Sequence, residues 1–172
     1  MIHDFGTLAS LPDTLLEGLA RAYSHLANKH IRNQFGTQTN TAIYKDYGYE
    51  SLPDTNVQAF SHYANLSIAT YKRLLQQNAL YETIVGNIST KFANECMSSY
   101  FLALSIKEET LANTFLHDNL YSDFMLSMAE NYLNSCASNA ILFTQGDSDT
   151  YPLWYVQQKY NYCLLYTSDA AD

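Results

Sequence analysis

This sequence predicts a mainly α fold: antiparallel helix pairs, repeat-like in character, that run into a truncated β-turn-α unit. Three observations carry that reading. Apolar residues recur at spacings of three and four through most of residues 1–137. The helix-start signal SLPDT occurs at residues 10–14 and again forty-one residues later at 51–55. Beyond residue 138 the pattern changes to a short apolar run, an acidic turn and a new helix start.

The first helix is expected over residues 11–35. Leu15, Leu19, Tyr23, Leu26 and His30 form its apolar stripe. Ser10 can cap it, Pro12 suits a first turn, and Asp13 favours the positive helix end. Gly36 is a natural stop, and residues 36–49 read as a polar linker. A second helix is expected over 56–77, striped by Val57, Phe60, Ala64, Ile68, Tyr71 and Leu75. The repeated start would suit a helical repeat, but only the cap recurs, so two helices that independently use a good start signal explain it better. A third helix is expected over 81–104 through Ile84, Ile88, Phe92, Cys96 and Tyr100. Gly86 inside it costs about 1 kcal/mol against Ala and suggests a close helix crossing. A short helix over 108–116 follows. Asp118 then caps a helix over 120–136, with Phe124, Met128, Tyr132 and Cys136 on one face. Residues 140–144 read as a buried strand. Asp149 or Thr150 caps a last helix with Pro152 in its first turn.

Domain organisation follows from this order. Residues 1–137 form a helical region, and 138–162 begin an α/β domain. Residues 163–172, CLLYTSDAAD, match a translated sequencing adapter and are set aside. Two of the formal charges, Asp169 and Asp172, lie in that tail, which leaves −6 of the −8. An acidic chain without a Lys/Arg cluster is a poor binder of nucleic acid or of anionic membrane. The 47% apolar content supports a packed core. The fifteen tyrosines suit helix-pair packing, with rings buried and hydroxyls at an edge. No run approaches the roughly 18 apolar residues of a bilayer span. Residues 1–10 lack the basic and apolar regions of a secretory signal, so a chain starting at Met1 would be cytoplasmic. Cys96 and Cys136 have no metal-ligand spacing and read as reduced thiols on helix faces.

The best candidate for chemistry is Gly146-Asp147-Ser148-Asp149-Thr150. It lies where a strand would end and a helix begins, the place where open α/β sheets bind ligands. Asp147 and Asp149 could hold a hard divalent ion, Mg²⁺ or Mn²⁺, through oxygen. Asp-x-Asp after an apolar strand also occurs in metal-dependent glycosyltransferases that bind nucleotide-sugar diphosphates. A structural reading stands beside this one: Gly146 makes the turn, Asp149 or Thr150 caps the helix, and Asp147 is solvated. A third assigns the turn to partner binding. Trp154, the single tryptophan, reads as core against the strand or, if exposed, as a sugar platform. His3, His25, His30, His62 and His117 form no ligand spacing. The sequence contains no HExxH, G-x-S-x-G or P-loop.

Residues 131–157, NYLNSCASNAILFTQGDSDTYPLWYVQ, closely resemble one block of a bacterial multi-spanning membrane family. That family is labelled as glycosyltransferases related to protein O-mannosyltransferases. Its block typically reads NYL-SCAPNAILFT-GDNDT-PLWY-Q and lies in the soluble region after the membrane helices. Here Ser138 stands where the family often has Pro, and Ser148 where it often has Asn. The segments YETIVGNISTKFANE and DNLYSDF resemble large helical proteins whose helices are similar to tetratricopeptide arrays. The resemblance implies an extracytoplasmic or membrane-associated setting. It also implies a functional surface at Gly146, Asp147, Asp149, Thr150, Pro152 and Trp154. Two functions follow as expectations. One is a helical scaffold, not itself catalytic, that binds another protein or a surface glycan. The other is an accessory or catalytic part of a surface-glycosylation system.

Overall fold

Pro12 and Pro53 open the first two helices in the same way. A computed structural model describes residues 11–32, 52–137 and 140–162. Helix α1 covers Asp13–Arg32 and α2 covers Asp54–Gln77. The Pro12 carbonyl accepts the amides of Leu15 and Leu16, both at 3.0 Å. Pro53 accepts those of Asn56 and Val57 at 2.8 and 3.2 Å. Proline's fixed φ suits a helix entrance, and it brings no amide that would need a partner. Leu11 and Leu52, one residue before each proline, are buried. The caps expected from Ser10 and the helix end near Gly36 lie outside the described residues.

Cross-helix hydrogen bonds make α1 and α2 antiparallel. Asn56, at the start of α2, donates to the His30 carbonyl near the end of α1 at 2.9 Å. Gln77 and Asn78 donate to the two carboxylate oxygens of Asp13 at 2.7 and 2.8 Å. In the α2 stripe Phe60, Ala64, Ile68 and Tyr71 are buried as expected, whereas Val57 and Leu75 at its ends are half-buried and Leu74 is buried in place of Leu75. On α1 the expected stripe is off by one position. Leu16, Ala20, Ala27 and Ile31 are buried, whereas Leu15 and Leu19 are half-buried and Leu26 is exposed. Small Ala20 and Ala27 fit a close helix approach. The larger Tyr23 and His30 flank it and stack on Tyr63, with centroids 6.4 and 5.6 Å apart.

The expected third helix begins later than its periodicity suggests. Residues Glu82–Thr83 (β1) and Gly86–Asn87 (β2) form a small antiparallel hairpin. Helix α3 follows over Ile88–Ser105. Gly86 holds φ +122°, which no helix accommodates. Thr83 Oγ1 donates to the Gly86 carbonyl at 2.6 Å and accepts the Val85 amide at 3.2 Å, which fixes the turn. Asn87 then caps α3, its side chain accepting from Ser89 N at 2.9 Å. Gly86 therefore makes a turn and not a helix crossing, and Ile84 is exposed rather than part of the stripe. Beyond it Ile88, Phe92, Cys96 and Tyr100 are buried as expected. Helix α4, Glu109–Phe115, buries Ala112 and Phe115, and Phe115 meets Phe60 edge-on at 6.1 Å.

The two buried carboxylates of this bundle, Glu17 and Glu95, are both satisfied, as burial demands. Glu95 is 5% exposed. Its carboxylate sits 2.8 Å from the Ser67 hydroxyl and 2.9 Å from Lys91 Nζ. Lys91 also lies over the Tyr71 ring. Glu17 accepts the Tyr81 hydroxyl at 2.9 Å and the Ile84 amide at 3.3 Å, which fastens the hairpin to α1.

The chain divides into two compact units between residues 115 and 116. In the second, the Ser122 side chain caps α5 (Asp123–Ser135), accepting from Met125 N at 3.4 Å. Asp118 does not cap this helix as expected. It pairs with Lys159 at 2.7 Å, and that hydrogen bond holds its carboxyl below the ordinary range. Helix α6 covers Asp147–Tyr160 and ends on Asn161 in the left-handed region, a common C-terminal signal. Ala129 and Leu133 of α5 pack with Leu153 and Val156 of α6. The stripe expected on α5 is displaced as well: Phe124 is 73% exposed and Tyr132 54%. Residues 140–145 form neither strand nor helix, so the expected buried strand is absent. A strand needs a partner for its backbone groups, and none is present among the described residues. Helices dominate and the strands are two residues each, so the molecule is mainly α. Among the described residues no helix is long and apolar enough to cross a membrane.

Candidate functional site

Gly146 shapes the acidic turn. Its φ of +82° and ψ of +169° belong to a region that essentially glycine alone occupies. It is the N-cap of α6, so the helix starts at Asp147, earlier than a cap at Asp149 or Thr150 would allow. Thr150 has a different role from the expected cap. It is buried, and its backbone amide and hydroxyl both donate to the Gly146 carbonyl, at 3.1 and 2.9 Å. The Thr144 hydroxyl lies 2.6 Å from that of Thr150, so the incoming segment is tied to the helix. This Thr144–Thr150 link was missed in sequence. Two threonines six apart give no periodic signal until the turn brings them together.

Asp147 and Asp149 are exposed in the first turn of α6. Aligned peptide dipoles favour negative charge there. No side-chain hydrogen bond caps the helix, so Asp149 does not serve as the expected cap. Pro152 lies one turn deeper than expected, as the sixth helical residue, and is buried. Trp154 is half-buried, its ring 5.7 Å from that of Tyr151 and tilted by 39°. The structure therefore brings Gly146, Asp147, Asp149 and Thr150 into one tight turn, with Pro152 and Trp154 on the helix behind it.

Two carboxylates alone make an incomplete metal site. Among the described residues no group of three or more His, Cys, Asp or Glu could hold an ion. Any ion at Asp147 and Asp149 would complete its shell with water or ligand oxygens, as Mg²⁺ commonly does. The buried Cys96 thiol offers little reactivity. Cys96 and Cys136 are both free, and burial followed by the Glu95 charge pushes Cys96 up to about 12.

Fold and turn together define a helical protein whose second unit presents an exposed, hydrogen-bonded acidic turn. A family model described as TMEM260-associated domain 2 matches residues 125–162, from α5 through the turn to the end of α6. Comparison with curated proteins and with solved structures gives no match.

Proposed function

We propose that this chain is a helical scaffold that binds another protein or a surface glycan through the Gly146–Thr150 turn. One observation carries the reading. The turn backbone is held by the paired Thr150 bonds to Gly146, while Asp147 and Asp149 stay exposed. A preordered turn binds without the entropic cost of ordering a loop. The Asp147→Ala, Asp149→Ala double variant should lose about 0.3–1 kcal/mol per residue of helix-end stabilisation. It should also lose retention on a glycan array or on the partner. Retention equal to wild type would remove the turn from the binding surface.

A second reading is supported by the resemblance of residues 131–157 to the soluble glycosyltransferase-family block together with the paired carboxylates of Asp147 and Asp149. It makes the chain an accessory or catalytic part of a surface-glycosylation system, in an extracytoplasmic or membrane-associated setting. Asp147 and Asp149 would hold Mg²⁺ or Mn²⁺ against a sugar diphosphate. Either ion should then raise the melting temperature of the wild type and not of the double variant. Equal curves with and without the ion would sink this version.

A further inference from the structure

Residues 140–145 alternate in burial without interruption. Ala140, Leu142 and Thr144 are half-buried, whereas Ile141, Phe143 and Gln145 are exposed. Leu142 packs on the cluster of Ala129, Leu133, Leu153 and Val156, and Thr144 meets Thr150. A period of two is the signature of an extended strand. Its outer face puts Ile141 at 65% and Phe143 at 81% exposure. The backbone groups of residues 141–145 make no hydrogen bond to another described residue. A strand-like alternation of burial, a backbone edge without a partner among the described residues and an apolar outer face thus occur in one segment.

Charge specifies the occupant further. Residues 116–162 carry Asp118, Asp123, Glu130, Asp147 and Asp149 against Lys159. Lys159 is engaged by Asp118 at 2.7 Å and by the Leu116 carbonyl at 3.1 Å. Exposed Asp147 and Asp149 stand at the C-terminal end of the alternating segment. We propose that residues 140–145 are a docking edge for one extended strand of a partner polypeptide. That strand is apolar at alternate positions and carries Lys or Arg beside Asp147 and Asp149. The proposal deepens the scaffold reading by naming the class of partner. Strand addition satisfies the backbone edge, and alternate pockets supply specificity. A docked helix would leave the edge groups unpaired. A second copy would bring the same acidic excess against itself.

The probe is an acetylated, amidated peptide of sequence KTVTVTK, added to the full chain. Amide hydrogen exchange at residues 141–145 is read by NMR. Protection of alternate amides, roughly tenfold or more, is expected. The variant Phe143→Pro should lose it, because proline removes an edge donor. Residue 143 is exposed and makes no backbone bond to a described residue, so the fold should tolerate the change. The Asp147→Asn, Asp149→Asn variant should bind several-fold more weakly and with a flatter salt dependence. Unprotected amides, or uniform rather than alternate protection, overturn the strand edge. Protection that grows with protein concentration without peptide assigns the edge to a second copy and overturns the basic partner. Wild-type affinity in the double Asn variant overturns the charge assignment. Retention on a glycan array with unprotected amides removes the strand edge and leaves the turn-binding reading standing. Alternate protection without dependence on the turn in array or partner retention does the reverse.

Discussion

The two units of this chain treat their large apolar residues differently. In residues 11–115, Phe60, Tyr71, Leu74, Ile88, Met97 and Phe115 are fully enclosed among four helices. The large apolar residues most exposed there, Leu80, Ile84 and Val85, lie at or beside the hairpin turn. In residues 116–162 the packed cluster is small, and Phe124, Met128, Tyr132, Ile141 and Phe143 are exposed. Those side chains lie on a regular helix face and on an alternating segment. Regular surfaces can pair with another regular element, and a turn tip cannot. The first unit is therefore organised around its own enclosed core, whereas the second leaves regular apolar faces exposed.

Core truncation should separate the units most sharply. Phe60→Ala removes a fully buried ring that meets Phe115 at 6.1 Å and should cost about 3–5 kcal/mol. Leu133→Ala, at 1% exposure in the small cluster, should cost about 2–5 kcal/mol. The units differ in how they absorb such a loss. Residue-resolved hydrogen exchange should show α5 and α6 of Leu133→Ala losing protection while α1 to α3 keep theirs. Phe60→Ala should lower protection in α2 and α3 first. If both variants lowered protection evenly along the chain, the two units would be one cooperative body and the contrast would fail.

Much of the fold was legible because its signals are local. The Leu-Pro-Asp starts and the Phe92, Cys96, Tyr100 stripe need little beyond proline geometry and helical period. What escaped depends on tertiary choices. Periodicity gives a stripe, but the neighbouring helix decides which of two adjacent stripes is covered. On α1 that choice moved burial from Leu15 and Leu19 to Leu16 and Ala20. On α5 it moved burial from Met128 and Tyr132 to Ala129 and Leu133. Gly86 was read as a helix crossing, because only its positive φ reveals a turn. The segment at residues 146–150 was legible as a helix start, since glycine and alternating aspartates break any core pattern. Its internal roles were not. Gly146 took the cap position, and Thr150 folded back onto it.

Gly146→Ala tests that turn directly. An added Cβ would meet no atom within 4 Å, so the cost is backbone strain alone. A loss of about 1–3 kcal/mol is expected, confined to the second unit. Circular dichroism melts read the total, and exchange at the Thr150 amide reads the site. A change within a few tenths of a kcal/mol would mean that the φ of +82° is not held. The Thr150 bonds would then lose their standing as the brace of the turn.

Tyr155 gives the smallest effect and the finest comparison. Its ring is fully enclosed, 5.5 Å from Tyr121, and its hydroxyl donates to the His117 carbonyl at 2.9 Å. Burial first, then the neighbouring Tyr160, pushes this hydroxyl from 10.0 up to about 12. The sign follows from linkage. Below the ordinary tyrosine value both states keep the proton, and the stabilising contribution is complete. As pH rises toward about 12 the unfolded chain ionises first, so the second unit loses stability. Tyr155→Phe keeps the ring but removes the hydroxyl's bond to the His117 carbonyl, at about 0.5–1.5 kcal/mol near neutral pH. In exchange it should flatten the alkaline limb of α5 and α6 protection. The limb of the first unit should stay, because burial holds Tyr71 well above the ordinary range there. An alkaline limb in α5 and α6 identical for wild type and Tyr155→Phe would show that Tyr155 does not govern it.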